Sequence, residues 1–217
     1  MPTLPPPASR AIETLRYLPG VRGAALTGSW ARGDAAQGSD VDLLVLCGEN
    51  HFEATWHEGV LIETSYTTYE HALEKLAKTP MEPYRWLDAK ILFDDGGLAD
   101  LMRTARSTYA CYTTPESEKR RLAHWLRSLE LKLSAAGNDA LKVRFFTATN
   151  AWILLEAVWA VNNRPMPPTA TAYRLCPQLD CIPFPHWFEE LFHENETHRA
   201  EATRKIISWA VERLENN

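Results

Sequence analysis

Nowhere does this chain carry the run of about 20 apolar residues that a membrane-spanning helix requires. Its most apolar stretch, Ala151–Val161, is short and contains Glu156. The opening residues, MPTLPPPASR, lack the basic segment followed by an apolar one that marks a secretory leader, so a cytoplasmic location without membrane contact is expected. Cysteine is scarce. The four residues Cys47, Cys111, Cys176 and Cys181 form no C-x-x-C pair. Free thiols are therefore expected, with neither a disulfide framework nor a zinc site. Positive charge is also in deficit. With 23 Lys and Arg against 28 Asp and Glu, the net charge is −5. That sign disfavours a general nucleic-acid binder and suits a cationic substrate. No internal repeat is present. Eight Trp, seven Tyr and seven Phe supply ample core, so disorder across the chain is excluded.

The first half reads as mixed α and β. Ile12, Leu15 and Leu18 recur at helical spacing within 8–18, and Pro19-Gly20 ends that element. Strands are expected at 21–27, 41–46, 60–67 and 89–93. Gly28–Ser39 reads as a loop with room for one helical turn. Thr67 and Glu70 suggest a capping box for a helix over 69–78, and another helix follows Asp94-Asp95-Gly96-Gly97 to about 109. The second half contains no convincing strand. Thr114-Pro115 reads as the N-cap and first residue of a helix to Ala136, with Gly137 beyond its end. Further helices are expected over 139–163, 169–176 and, in two pieces, 186–215. The predicted architecture is α+β: a small mixed sheet domain over 1–112, then an all-α bundle over 113–217.

The informative stretch is Leu26–Leu46, LTGSWARGDAAQGSDVDLLVL. In an extended strand, residues two apart project to the same side, so Asp40 and Asp42 present two carboxylates together. Such a pair repels itself unless a cation lies between, and Mg²⁺ suits oxygen ligands that leave room for phosphates. Upstream, Gly28 permits close backbone approach, while Ser29, Arg32 and Ser39 offer donors to phosphate oxygens. One loop thus places anion donors beside a metal-binding pair, which is what a Mg²⁺-bound nucleoside triphosphate requires.

GSWARGDAAQGSDVDLLV over Gly28–Val45 resembles the nucleotidyltransferase signature of the DNA polymerase β superfamily, in its minimal and antibiotic-modifying branches. The resemblance is specific over residues 24–46 and loose to about 110. It implies that Asp40 and Asp42 hold Mg²⁺, with a third acidic residue on a neighbouring strand. By position in VLIETSYT that residue is Glu63, with Asp88, Asp94 and Asp95 as competitors. It implies that Gly28, Ser29, Arg32 and Ser39 bind nucleotide. Aminoglycoside-modifying relatives take the acceptor proton on a carboxylate of a helical domain. Glu156, apolar on both sides, is the candidate base here, with Glu130 second.

The expected reaction is Mg²⁺-dependent transfer of a nucleoside monophosphate from an NTP to a hydroxyl of an aminoglycoside-like small molecule, releasing pyrophosphate. A homodimer is compatible with the sequence. The alternatives are a nucleotidyltransferase acting on tRNA or a toxin–antitoxin partner protein, and a catalytically inactive nucleotide-binding module. His193-Glu194-Asn195-Glu196-Thr197-His198 misses the zinc-protease spacing by one residue and reads as a solvated helix face.

Overall fold

The computed structural model describes residues 4–216. Its contacts divide the chain into two compact units, Met1–Cys111 and Tyr112–Asn217.

The first unit opens with α1 (Pro6–Leu15), β1 (Gly23–Leu26), α2 (Gly28–Arg32) and β2 (Val41–Leu46). β3 (His51–His57) and β4 (Val60–Thr67) follow, then α3 (Tyr69–Lys78), α4 (Glu82–Leu87), β5 (Lys90–Asp94) and α5 (Leu98–Ala110). The sheet order is β3-β4-β2-β1-β5, mixed because β2 and β4 run parallel while the other pairs are antiparallel.

Strand alternation sorts β2 onto two faces. Val41, Leu43 and Val45 pack with Ile62, Ala24 and Leu26 beneath Ile12 and Leu15 of α1. Leu44 and Leu46 pack with Ala72 and Leu76 of α3, Trp86 of α4 and Leu98 and Leu101 of α5. Asp42 shares the second face, one strand step from where helices cover it.

Two elements were not expected from sequence. β3 is the outer arm of a hairpin whose turn, Glu58-Gly59, holds φ of +49° and +81°. Positive φ at both central residues is the type I′ geometry that matches strand twist. All seven β3 residues are exposed, so no buried face announces the strand. α4 is a single short stretch opened by Glu82-Pro83. The capping expectation shifts by one residue. Thr67 ends β4, and Thr68 Oγ1 accepts from the His71 N–H at 3.2 Å.

The second unit contains α6 (Glu116–Ala136), α7 (Ala140–Thr149), α8 (Ala151–Val161) and α9 (Thr169–Leu175). A 3₁₀ turn at Cys176–Gln178, α10 (Trp187–Leu191) and α11 (Glu196–Asn216) complete it. Its core is one cluster in which Leu122, Leu126, Leu129 and Leu133 of α6 meet Leu154, Val158 and Trp159 of α8 and Ile206 and Ile207 of α11. The fold class is α+β, with the strands confined to the first unit among the described residues.

Three local expectations change here. Pro115, not Thr114, is the N-cap of α6, and the Thr114 hydroxyl instead donates to the Ala160 carbonyl at 3.0 Å. The single helix expected over 139–163 is broken at Asn150. There Nδ2 donates back to the Phe146 carbonyl at 2.8 Å and Oδ1 accepts from Trp125 Nε1 at 2.9 Å. Side-chain bonding of this kind competes with helix continuation. His193 precedes α11 rather than lying on it. Asn195 Oδ1 accepts from the N–H groups of Thr197 and His198, and the two imidazoles lie 4.8 Å apart.

Candidate active site

The site is built at the start of β2. Parallel pairing sets Asp42 directly beside Glu63 of β4, and Asp40 precedes the strand on the same side. One carboxylate oxygen from each of Asp40, Asp42 and Glu63 falls within 4.8 Å of the other two. Asp94 is spent elsewhere. Its carboxylate accepts from the N–H groups of Gly96, Leu98 and Ala99 at the start of α5.

The electrostatics of the cluster are strained. Burial, then the neighbouring charges of Asp40 and Glu63, push the Asp42 carboxyl above the usual carboxylate range. The guanidinium groups of Arg85 and Arg32 act the other way. Three half-buried carboxylates with incomplete positive compensation form an all-oxygen donor set that a hard divalent cation fits.

Gly28 fixes the floor. Its φ is +66°, and a Cβ added there would lie 1.9 Å from Asp42 Oδ2. Only glycine permits both the backbone conformation and the approach. The Thr27 N–H also donates to the Asp42 carbonyl at 2.9 Å, tying the turn to β2. Ser29 follows half-buried in α2, which ends at Gly33 with φ of +88°.

The other expected phosphate donors are partly engaged. Arg32 Nε donates to Asp34 Oδ2 at 3.1 Å. Ser39 Oγ accepts from the Ala36 N–H at 2.9 Å and so closes the 36–39 turn, leaving its own proton to donate. Glu156 lies on α8 of the second unit, where Arg121 Nη2 donates to it at 3.0 Å and Glu118 shares the same guanidinium.

Arg85 has no counterpart in the sequence reading. It acts on Asp42 through space from α4 and lines a cavity of about 300 Å³ with Leu44, Phe52, Ser65, His71 and Lys75. No spacing in the sequence links α4 to β2, because the sheet crossing brings them together.

Residues 8–94 match the family model described as "Nucleotidyltransferase domain". Over that segment the first unit is similar to nucleotidyltransferase domains. The matched segment contains Gly28, Ser29, Arg32, Ser39, Asp40, Asp42 and Glu63, and ends with β5. No curated protein matches the chain. Among solved structures, a nucleotidyltransferase-like protein from Exiguobacterium sibiricum 255-15 is similar at 16% identity and a TM-score of 0.45. That similarity covers 94% of this chain and 73% of the other. No helix among the described residues is long and apolar enough to cross a membrane.

Proposed function

We propose that this nucleotidyltransferase uses Mg²⁺ and an NTP to transfer a nucleoside monophosphate to a hydroxyl of a small, cationic, polyhydroxylated acceptor of aminoglycoside type in the cytoplasm. The acceptor oxygen bonds to the α-phosphorus, the bond from that phosphorus to the β-phosphate oxygen breaks, and pyrophosphate leaves. The observation that carries the reading is the convergence of Asp40, Asp42 and Glu63 beside the glycine that Asp42 itself requires.

Mg²⁺ bound by these carboxylates supplies charge neutralisation for the triphosphate and for the entering and leaving oxygens. The chain's own residues do the rest. Gly28 brings the backbone close, and Ser29 offers a hydroxyl and an N–H to phosphate oxygens. Arg32, Ser39 and Arg85 add fixed donors and positive charge around the same point, and fixed donors cost no reorganisation when charge develops.

Two observations support a small acceptor over RNA. The chain is acidic, with a net charge of −5. Two of the three cations in its densest basic cluster, Lys119-Arg120-Arg121, are tied up, Lys119 with Glu116 and Arg121 with Glu118 and Glu156. The test is incubation with labelled ATP or GTP, Mg²⁺ and a panel of aminoglycosides, lincosamides, tRNA and proteins. A mass increase of one nucleotide on an aminoglycoside is expected. Labelling of tRNA or protein alone would overturn the acceptor class, and no labelled product from any acceptor would overturn the activity.

A further inference from the structure

β3 ends the sheet, and all seven of its residues are exposed, including Phe52 at 59% and Trp56 at 72%. The opposite edge is defended. β5 is mostly half-buried, Arg16 lies over the Phe93 ring at 4.9 Å, and its Nη2 donates to the Leu92 carbonyl at 3.3 Å. β3 has no such cover among the described residues, and it carries neither Lys nor Pro, the residues that commonly blunt an edge.

The hairpin register fixes which backbone groups face outward. His57 and Val60 flank the two-residue turn and are opposite each other. In a hairpin of this type that flanking pair exchanges backbone hydrogen bonds, and bonded pairs alternate along the strand. The odd-numbered residues His51, Glu53, Thr55 and His57 are therefore bonded to β4. Phe52, Ala54 and Trp56 turn their N–H and C=O groups to the open edge.

The sequence of the strand, HFEATWH, mirrors itself about Ala54 at its histidine and aromatic positions, with Glu53 opposite Thr55 in the mirror. We propose that β3 pairs antiparallel with β3 of a second copy of this chain across a two-fold axis at Ala54. This proposal stands apart from the reaction above. In that register Ala54 faces its own copy, Phe52 faces Trp56 of the other chain twice, and Glu53 faces Thr55. The outward groups of Phe52, Ala54 and Trp56 all find partners, which makes six backbone hydrogen bonds. Two aromatic cross-strand pairs form, a favourable combination. His51 lies opposite His57.

Neighbouring registers with the same hydrogen-bond parity are worse. Sliding two-fold symmetry onto Glu53 sets that carboxylate against its own copy in the close, non-bonded position. Sliding it onto Thr55 sets Phe52 against Glu58. Because the axis is perpendicular to the sheet, the result is one continuous sheet with both Asp42–Glu63 faces on the same side. The interface is isologous and closes at two copies.

The test is light scattering and sedimentation of the full chain at micromolar concentration. The parent is expected to be a dimer. Ala54→Pro removes an outward N–H and no bond to β4, so it should leave a monomer with unchanged circular dichroism and melting temperature. Phe52→Glu should weaken the dimer at least about tenfold. Phe52→Glu with Trp56→Lys should restore it, since the register then sets carboxylate against ammonium at both aromatic positions. A monomeric parent would overturn the proposal. So would a folded Ala54→Pro that stays dimeric, or a double variant no tighter than Phe52→Glu alone.

Discussion

A Cβ placed on Gly28 would come within 1.9 Å of Asp42 Oδ2, so the turn at the start of α2 and the first residues of β2 are fitted to each other through one missing methyl group. Gly28→Ala meets this clash and the left-handed φ of +66° together. A loss of about 1–3 kcal/mol in stability is expected. A fall in nucleotidyl transfer beyond that explained by unfolding is also expected. Urea melts and initial rates on the same preparation check both. A variant with parental stability and rate would show that the two residues do not meet.

The acidic cluster predicts opposite effects of one mutation in the presence and absence of metal. Asp42→Asn removes a charge from a site where Asp40 and Glu63 already repel it. Without divalent ions the variant should melt at or above the parent's temperature. With Mg²⁺ or Mn²⁺ the parent should gain stability, about 2.7 kcal/mol at a hundredfold excess over Kd, and the variant should not. Thermal scans with and without EDTA read this directly. A metal-dependent rise retained in the variant would remove Asp42 from the ligand set.

Acid should weaken the second unit through Glu118. Its hydrogen bond from Arg121 holds the Glu118 carboxyl below the usual range. A lowered folded value means the contribution is complete above the unfolded carboxylate range and is lost as pH falls through the lowered value. Both side chains are partly exposed, so the effect is at most about 1 kcal/mol. Arg121→Ala should flatten that part of the stability-versus-pH curve between neutral pH and pH below the carboxylate range, measured by urea titration. An unchanged curve would mean the pair contributes nothing.

Thiol chemistry should separate the four cysteines. Burial, and secondarily Glu189, pushes the Cys176 thiol up to about 12, and its exposure is 1%. Cys111 is exposed and Cys47 is buried. A maleimide at mildly alkaline pH should label Cys111 first and leave Cys176 untouched until the chain unfolds. Peptide mass mapping checks the order. Early modification of Cys176 would show that the second unit opens locally.

The legible parts of the fold were those whose pattern is local. VDLLVL reads as a buried strand because it stays almost wholly apolar, and Gly28-Ser29 with Asp40 and Asp42 lie within one short continuous stretch running from α2 into β2. Glu63 was reachable only through family resemblance, since its place beside Asp42 depends on parallel pairing of strands that are not consecutive. β3 escaped notice for a physical reason. The alternation Phe52, Ala54, Trp56 is present, but every β3 residue is exposed and its turn is Glu-Gly rather than the commoner Asn-Gly or Asp-Gly. Arg85 was invisible because only the tertiary fold brings α4 to β2. The break at Asn150 follows from one side chain bonding backwards and to Trp125, which periodicity does not encode.

Since β2 and β4 are parallel neighbours joined through the β3 hairpin, the three carboxylates meet only after that non-local pairing has closed. Pairings of this kind form late relative to hairpins. The cluster is therefore a built-in timer: a luminescent lanthanide held by these three carboxylates would stay dark on an unfolded chain and light up at the moment the central parallel pair locks, reporting sheet assembly from a single point without a label on the protein.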